Sequence, residues 1–459
     1  MGDSLLAKIP NMNSLLEHAL LGGMDRERAK RAAQACLREL REGLLSGAVQ
    51  KPPSLDECAK QALLIAEADD TPHLRRLINA TGVVLHTNLG RAPLGAGLGG
   101  PLADICGGYC NLEYDLETGQ RGDRFSHVEG LVREMTGAEA AMVVNNNAAA
   151  VHLMLGALAH GKRVAISRGE LVEIGGSFRV PEIMGQSGAV LVEVGTTNRT
   201  RLSDYAAAVE DQGAEALLKV HTSNYEILGF TESVTASELA AFGREKGLPT
   251  LYDAGSCFLI EPESFGFQHG ESARSAAASG MDVICFSGDK LTGSAQAGIL
   301  AGRRAYIEKM KTHPLARAFR PDKLTLAALE ASLRLYRYPG EAIRRIPVLT
   351  MLAVRPETLH QRADDLAERL RLLYPSWDIL VSKTADETGG GSLPNVQLPG
   401  WAVTLKPDKL SVEELEKQLR AGKLPVILRI REGLALISLR TLLPGEDEEL
   451  LAAFRALLG

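Results

Sequence analysis

The stretch that decides the fold of this chain reads Val283-Ile284-Cys285-Phe286-Ser287-Gly288-Asp289-Lys290-Leu291-Thr292-Gly293-Ser294-Ala295-Gln296-Ala297-Gly298. Its apolar half favours a β-strand and breaks at Gly288, shortly before a single lysine. Small residues follow Lys290 and would let a ligand approach the backbone closely. A strand-end lysine removed from bulk water suits Schiff-base chemistry, and a solvated turn lysine is the alternative. The motif alone leaves both interpretations open.

Outward from this stretch, apolar runs alternate with helical segments from Leu77 to about Tyr338. This alternation predicts an α/β domain with a mainly parallel sheet. In open sheets of this kind, ligands bind outside the carboxyl ends of the strands. The predicted strands are Ala141–Val144, Arg163–Ser167, Val190–Val194, Ala216–His221, Thr250–Asp253 and Asp282–Ser287.

Two other strand ends carry residues that complement a strand-end lysine. Asn145-Asn146-Asn147-Ala148 opens an alanine-rich helix, whose first N–H groups suit a phosphate, although an ordinary polar turn is the alternative. Asp253 ends a strand 37 residues before Lys290 and could keep a pyridine nitrogen protonated, or could simply cap a turn. The order of phosphate turn, aspartate and lysine in successive α/β units predicts a pyridoxal-phosphate site.

The flanking regions differ from this core. Residues 1–77 read as a small helical domain, in which Asp25 caps a helix that ends at Gly47, and Ser54 with Glu57 forms a capping box. Six cations against two glutamates leave residues 26–41 with an excess of four positive charges. The cations are Arg26, Arg28, Lys30, Arg31, Arg38 and Arg41. Such a face could bind RNA phosphates, and a solvated helix face is the commoner meaning.

The C-terminal region reads as a small α+β domain. Val426–Ile430 and Leu434–Leu439 are predicted to pair as a hairpin around the short loop Arg431-Glu432-Gly433. Gly389-Gly390-Gly391 is interpreted as a flexible loop. The predicted domains are therefore residues 1–77, 78–338 and 339–459.

Composition excludes several classes of protein. The net charge of 51 minus 57, or −6, gives no global basic field, so a nucleic-acid partner would need a local patch. The six cysteines lack CxxC spacing, which argues against a disulfide framework or a metal site. We found neither a signal-peptide pattern nor an apolar run of the ~20 residues that span a bilayer. These features predict a cytoplasmic protein without a membrane partner.

Several motifs together resemble bacterial selenocysteine synthases, the L-seryl-tRNA(Sec) selenium transferases. The resemblance covers nearly the whole chain. The motifs that carry it are Ile78-Asn79-Ala80-Thr81-Gly82-Val83-Val84-Leu85-His86-Thr87-Asn88-Leu89-Gly90-Arg91-Ala92-Pro93-Leu94, Gly119-Gln120-Arg121-Gly122-Asp123-Arg124, Asn145-Asn146-Asn147-Ala148-Ala149, Gly195-Thr196-Thr197-Asn198-Arg199-Thr200, His221-Thr222-Ser223-Asn224-Tyr225 and Phe286-Ser287-Gly288-Asp289-Lys290-Leu291.

The resemblance implies a fold-type I pyridoxal-phosphate enzyme, similar in fold to aspartate aminotransferase. It implies conversion of seryl-tRNA(Sec) to selenocysteinyl-tRNA(Sec): water is eliminated, an aminoacrylyl-tRNA forms, and selenium is added from selenophosphate. It also implies a ring-shaped homo-oligomer, a decamer built from dimers, in which the N-terminal domain holds the tRNA.

Site residues follow from the matched motifs. Lys290 would carry the cofactor and move the Cα proton, and Asp253 would face the ring nitrogen. Asp289 would orient the lysine or assist the leaving hydroxyl, with turn geometry as the alternative. The cofactor set is completed by Asn146, Asn147, Ala148, Ser287 and His221. The selenophosphate set is Arg91, Arg124, Arg317 and Arg320.

Two other functions remain to be weighed. A β- or γ-eliminating lyase that acts on a free amino acid would share Lys290 and Asp253, but it would have no use for residues 1–77. A tRNA-binding protein that has lost catalysis would have no use for Lys290 and Asp253.

Overall fold

The computed structural model describes residues 5–175, 178–267 and 270–458. The chain divides into two compact units, residues 1–77 and 78–459, which are described separately. Among the described helices, none is both long enough and apolar enough to cross a membrane.

The N-terminal unit is a helical cluster. Its helices are α1 (Met12–Leu16), α2 (Arg26–Ser46) and α3 (Leu55–Asp70). Asp25 caps α2 through the N–H groups of Glu27 and Arg28, and Gly47 ends it with a φ of 79°. Ser54 and Glu57 form the predicted capping box on α3. Both cap predictions are confirmed. A stripe of Ala29, Ala33, Leu37, Leu40 and Leu44 packs against Cys58, Ala59 and Ala62 of α3.

The second unit is built on a large, mostly parallel sheet. Its order is β2-β10-β9-β8-β7-β3-β6, and β10 runs antiparallel to both of its neighbours. The strands are β2 (Ala140–Val144), β3 (Arg163–Ser167), β6 (Val190–Val194), β7 (Ala216–Val220), β8 (Thr250–Gly255), β9 (Val283–Ser287) and β10 (Gly298–Gly302). A short hairpin, β4 (Glu173–Ile174) with β5 (Phe178–Arg179), lies outside this sheet.

Helices cover both faces of this sheet, because side chains alternate along each strand. In β2, Ala141 and Val143 join one apolar cluster, whereas Ala140 and Met142 join the other. The helices of this region are α4 (Gly99–Gly107), α5 (Ser126–Thr136), α6 (Asn147–Leu158), α7 (Val180–Gln186), α8 (Leu202–Glu210), α9 (Ala236–Lys246), α10 (Ala273–Ala278), α11 (Arg304–Lys311), α12 (Pro314–Ala318), α13 (Lys323–Tyr336), α14 (Pro339–Arg345) and α15 (Pro347–Ala353).

The predicted strands are present, with ends that shift by one or two residues. The strand predicted to end at His221 ends one residue earlier, at Val220. The strand predicted to end at Asp253 continues to Gly255 through an irregularity in its pairing with β9. The prediction missed β10, which closes the gap between β2 and β9.

The C-terminal part forms an antiparallel sheet of order β11-β12-β15-β14. Its elements are α16 (Pro356–Leu373), β11 (Asp378–Glu387), β12 (Gln397–Lys406), α17 (Val412–Ala421), β13 (Val426–Ile427), β14 (Arg429–Arg431), β15 (Leu434–Ser438) and α18 (Glu446–Ala456). The predicted hairpin is confirmed in part: Arg429–Arg431 pairs with β15 around a shorter loop, because Arg431 pairs with Leu434. Val426–Ile427, predicted as part of the same hairpin strand, pairs in parallel with Ile78–Asn79 instead. Glu432 and Gly433 both have positive φ, 54° and 74°, as a two-residue hairpin turn requires.

The first residues of the second unit, which precede the large sheet in the sequence, pack in the C-terminal sheet region. Strand β1 (Ile78–Asn79) pairs in parallel with β13. Ile78 and Ala80 are fully buried in the C-terminal apolar cluster. Further on, the N–H groups of Val84 and Leu85 donate to the carbonyls of Glu387 and Thr388. The segment that follows residue 77 is therefore built into the C-terminal sheet region.

Candidate active site

Three neighbouring strands of the large sheet end at the candidate site. Pairing places Asp253 of β8 beside Val220 of β7 and beside Cys285 of β9. His221 follows β7, and its N–H donates to the Asp253 carbonyl at 2.8 Å. Lys290 lies three residues past the end of β9. Parallel strands thus bring the predicted aspartate, histidine and lysine to one edge of the sheet.

Asp253 is a buried carboxylate held through one oxygen. Its Oδ1 accepts from Asn147 Nδ2 at 2.8 Å and from the Gly255 N–H at 3.0 Å. The Cys285 thiol donates weakly to the same oxygen at 3.8 Å. Burial raises the pKa of Asp253, and these donors together with the charge of Lys290 oppose that rise. The donors also fix the orientation of the carboxyl plane.

Lys290 is an amine held largely out of water, with 5% of the residue exposed. Burial is the main cause of its lowered pKa, and the positive charge of Arg91 lowers the pKa further. The negative charges of Asp253 and Asp289 act in the opposite direction and raise it. Among the described residues, none forms a hydrogen bond with its Nζ. A lowered pKa favours the neutral amine, which is the nucleophilic form of lysine.

Asp289 and Arg91 form an ion pair beside this lysine. Arg91 Nη1 donates to Asp289 Oδ2 at 2.7 Å, and the Asp289 side chain is 11% exposed. Arg91 has a φ of 60° and follows Gly90 with a φ of 91°, so a left-handed turn presents its side chain. The Ala92 N–H also donates to the Asp289 carbonyl, at 3.3 Å. The ion pair accounts for one carboxyl oxygen of Asp289.

The predicted phosphate turn lies at the start of α6. Asn146 caps this helix by accepting from the Ala149 N–H at 2.9 Å, and Asn147 and Ala148 form its half-buried first turn. Two residues that hydrogen-bond to Asp253, Asn147 through its amide and His221 through its backbone N–H, each carry a buried side-chain atom without a hydrogen-bond partner, namely Asn147 Oδ1 and His221 Nδ1. Buried polar atoms without partners are rare, so this pair indicates a site for a polar ligand.

The four predicted anion-binding arginines do not form one cluster within this chain. Only Arg91 lies beside Lys290. Arg124 is committed to Glu113, at 2.5 Å between Nη2 and Oε1, and to the Pro321 carbonyl at 2.7 Å. Arg320 Nη1 lies 3.8 Å from the same Glu113 oxygen, and Arg317 is exposed.

Two of the predicted residues have a simple structural setting. Ser287 is buried at the end of β9, where it pairs with Gly298 of β10. Arg320 is linked to the phosphate turn through its neighbour Phe319, whose carbonyl accepts from the Asn145 N–H at 2.8 Å. Arg320, one of the predicted selenophosphate residues, therefore lies near the predicted phosphate turn rather than near Lys290.

Comparison with known proteins decides the family of this site. The sequence pattern of L-seryl-tRNA selenium transferase matches residues 77–443. An L-seryl-tRNA(Sec) selenium transferase from Moorella thermoacetica is 48% identical over 98% of this chain and 96% of its own length. That of Geobacter sulfurreducens is 46% identical over 99% of both chains.

This chain belongs to the L-seryl-tRNA selenium transferase family. Its fold is also found in D-glucosaminate-6-phosphate ammonia-lyase, with a TM-score of 0.56 and 20% identity over 84% of this chain and 96% of that one. The prediction of an α/β, fold-type I architecture with N-terminal helices and a C-terminal antiparallel sheet is confirmed.

A cavity of about 290 Å³ lies beside His221. Lys219 and Glu170 form a buried ion pair at its wall, with 2.7 Å between Nζ and Oε1. Burial lowers the pKa of His221, and the charges of Lys219 and Lys290 lower it further. The neutral imidazole is therefore favoured at the candidate site.

Sequence reasoning missed one element of the site, the triplet Gly389-Gly390-Gly391. The structure corrects its interpretation as a flexible loop, because all three glycines are left-handed, with φ values of 72°, 63° and 68°, and the first two are closely packed. A Cβ on Gly389 would lie 2.4 Å from Val83 Cγ1, and one on Gly390 would lie 2.8 Å from the Leu85 carbonyl oxygen. Three consecutive glycines after a strand were the available signal, since close backbone approach requires them.

Proposed function

We propose that this protein converts L-seryl-tRNA(Sec) to L-selenocysteinyl-tRNA(Sec) with selenophosphate as the selenium donor. The observation that carries the proposal is Lys290, a buried amine at a strand end with a lowered pKa, placed near the buried carboxylate of Asp253. Membership in the L-seryl-tRNA selenium transferase family supplies the substrate class.

We infer that pyridoxal phosphate is the cofactor, because the residues present fit it. Asn147 Oδ1 and His221 Nδ1, which have no hydrogen-bond partner, belong to residues at the edge of the sheet that carries Asp253 and Lys290. The first turn of α6 offers N–H groups for a phosphate, and Asp253 suits a protonated ring nitrogen. When bound, pyridoxal phosphate would supply an electron sink for charge at the substrate Cα.

The remaining steps, which are proton transfer, positioning of the cofactor and departure of the hydroxyl, would be carried out by residues of this chain. Lys290 would hold the cofactor, then accept the proton from the seryl Cα and return it after selenium has been added. Asp253, held by Asn147, would offer its carboxyl group to the protonated ring nitrogen. Asp289, anchored by Arg91, would orient Lys290 and assist departure of the seryl hydroxyl.

Selenophosphate is an anion, and its binding calls for arginines with planar donor forks. Arg91 is the best placed of the predicted set, because its charge already acts on Lys290. Arg124 and Arg320 share Glu113, so they would contribute as a group near the phosphate turn. Arg317, which is exposed on the short helix α12, would complete the set.

The tRNA would be held in part by the helical N-terminal unit. Arg31, Arg38 and Arg41 of α2 are exposed, and their spacing places them on one face of the helix. We further propose three domains (residues 1–77, 78–338 and 339–459) from the changes in sequence pattern at their boundaries, and a decamer built from dimers from the family resemblance. A tRNA substrate implies a cytoplasmic location.

A spectroscopic measurement tests the cofactor and the lysine together. Wild-type protein loaded with pyridoxal phosphate should show visible absorbance from the lysine-bound cofactor, and Lys290→Ala should lose that band together with selenium transfer. Lys409→Ala, at an exposed lysine of the C-terminal region, is the matched control and should keep both. An unchanged band in Lys290→Ala would overturn the assignment.

A further inference from the structure

The geometry points to Gly391 as a specificity-determining residue, because its missing side chain leaves room beside Lys290 for an amino acid esterified to RNA. This inference rests on the function proposed above and adds a residue to it. It concerns how the site distinguishes seryl-tRNA from free serine, a distinction that Lys290 and Asp253 do not make.

Gly391 lies directly beside the reactive amine. A Cβ at this position would lie 4.0 Å from Lys290 Nζ, 3.4 Å from Asn224 Cβ and 3.9 Å from Ile174 Cγ2. These are ordinary van der Waals distances, so a side chain would fit against the protein while occupying space next to Nζ. Gly389 and Gly390 differ, because a Cβ on either would collide with Val83 or with the backbone of Leu85.

The triplet is held in a fixed position relative to Lys290. Ser392 Oγ hydrogen-bonds to Ser256 Oγ at 2.7 Å, and Ser256 Oγ also accepts from the N–H of Leu291 at 3.4 Å. Asn395 Nδ2 donates to Glu226 Oε2 at 3.1 Å, which attaches the same loop to the end of the large sheet. The wall beside Nζ is therefore built into the fold.

The chemistry of this wall suits an ester better than a free amino acid. A free α-carboxylate calls for a cationic partner, most effectively arginine. Residues 388–395 read Thr-Gly-Gly-Gly-Ser-Leu-Pro-Asn and carry no charge. Arg91, the predicted anion-binding arginine that lies beside Lys290, is paired with Asp289. An ester is neutral, and it continues into a ribose that needs space where a side chain would otherwise stand. Lys290 is 5% exposed and its Nζ has no hydrogen-bond partner among the described residues, which leaves the amine free to contact a ligand at this place.

Two substitutions at Gly391 test the inference. Gly391→Ala adds one methyl group, and Gly391→Asn adds a larger side chain that tolerates a left-handed backbone. We expect kcat/KM for seryl-tRNA(Sec) to fall about 100-fold, the scale of a small misplacement of the reacting group, with the larger loss in the asparagine variant. Reaction of the cofactor-loaded protein with hydroxylamine, a small amine, should keep its wild-type rate.

The control is Gly433→Ala in the hairpin turn. Gly433 has a similar φ of 74°, and a Cβ there would meet nothing within 4 Å, so this variant has the backbone strain without filling the site. It should retain wild-type kcat/KM for seryl-tRNA(Sec).

The outcomes separate this inference from the proposed function. Wild-type kcat/KM in both Gly391 variants would overturn the inference, and so would an equal loss of hydroxylamine reactivity and tRNA turnover, because the triplet would then act only structurally. Failure of the wild-type protein itself to convert seryl-tRNA(Sec) would instead overturn the proposed function.

Discussion

At the scale of single residues, the site buries an acidic group, the carboxyl of Asp253, and a basic group, the amine of Lys290. Burial raises the pKa of Asp253 and lowers that of Lys290, so each shift favours the neutral form. Their mutual attraction opposes both shifts. Asn147 and the Gly255 N–H donate to the carboxylate and help to keep it charged, whereas the positive charge of Arg91 favours a neutral amine. For Asp253 the donors and the charge of Lys290 therefore oppose the effect of burial, whereas for Lys290 burial and the charge of Arg91 act together to favour the neutral amine.

Lys290 should make the stability of the cofactor-free protein depend on pH. Its native pKa lies below the unfolded value of 10.5. Between those two values the unfolded chain binds more protons, so the free energy of unfolding rises with pH in this window, by up to ~1.4 kcal/mol per pH unit. Lys290→Met lacks this contribution. We therefore expect the variant to be more stable than wild type near neutral pH, by a margin that shrinks as pH rises towards 10.5.

Urea unfolding of the cofactor-free proteins from pH 7 to pH 10 would measure this margin. Lys409→Met, at an exposed lysine, controls for the loss of one charge. A margin that stayed constant or widened with pH would contradict the assignment of a lowered pKa to Lys290.

At the scale of elements, the phosphate turn depends on the start of α6. Asn146 supplies the cap, and the N–H groups of the following turn point away from the helix towards the strand ends. Because α6 is buried against β9 and β10, the turn cannot shift without disturbing the large sheet. The phosphate position is therefore tied to the strand that leads to Lys290.

Asn146→Ala should cost ~1 kcal/mol of folding stability, the usual value of an N-cap, and should also weaken binding of pyridoxal phosphate. Thr235→Ala is the matched control, because Thr235 caps α9 in the same way without being a predicted cofactor residue. Both variants should lose similar stability in urea unfolding. Cofactor affinity is measured by titration of the visible absorbance. Equal affinity in the two variants would show that Asn146 is not part of the phosphate site.

Much of this element-level organisation could be predicted from the sequence. The strands that carry Asp253 and lead to Lys290 follow from apolar runs that stop at polar or glycine residues. Strand β10 was missed because Gly298-Ile-Leu-Ala-Gly302 is short, is flanked by glycine and has an antiparallel direction that local pattern does not encode. The packing of the glycine triplet against Val83 and Leu85 joins residues distant in sequence, which no local pattern reveals. Arg124 and Glu113 are only 11 residues apart, but their pairing depends on the turns between them.

At the scale of the whole molecule, an acidic chain would have to bind a polyanion. The net charge of −6 gives no general attraction for RNA, so the exposed cations of α2 would need to act locally. Arg28 is engaged by Asp70, whereas Arg31, Arg38 and Arg41 are exposed. The arrangement suits phosphate contacts made by a few residues of one helix.

Replacing Arg31, Arg38 and Arg41 with Gln should weaken tRNA binding and make it less sensitive to salt. Each lost phosphate contact should reduce the slope of log K against log salt concentration by about 1. The control replaces Lys409, Lys417 and Arg431, three exposed cations of the C-terminal part, with Gln. The measurement is tRNA affinity from low to moderate salt. Equal affinity and equal salt dependence in the two triple variants would contradict the proposed role of α2.

The most direct test of the central claim is single-turnover conversion of seryl-tRNA(Sec) with selenophosphate by the pyridoxal-phosphate-loaded protein, with free serine as the competing substrate. We predict selenocysteinyl-tRNA(Sec) from the charged tRNA and no selenocysteine from free serine. Turnover of free serine without turnover of the tRNA would contradict the account and would instead identify a lyase that acts on free amino acids.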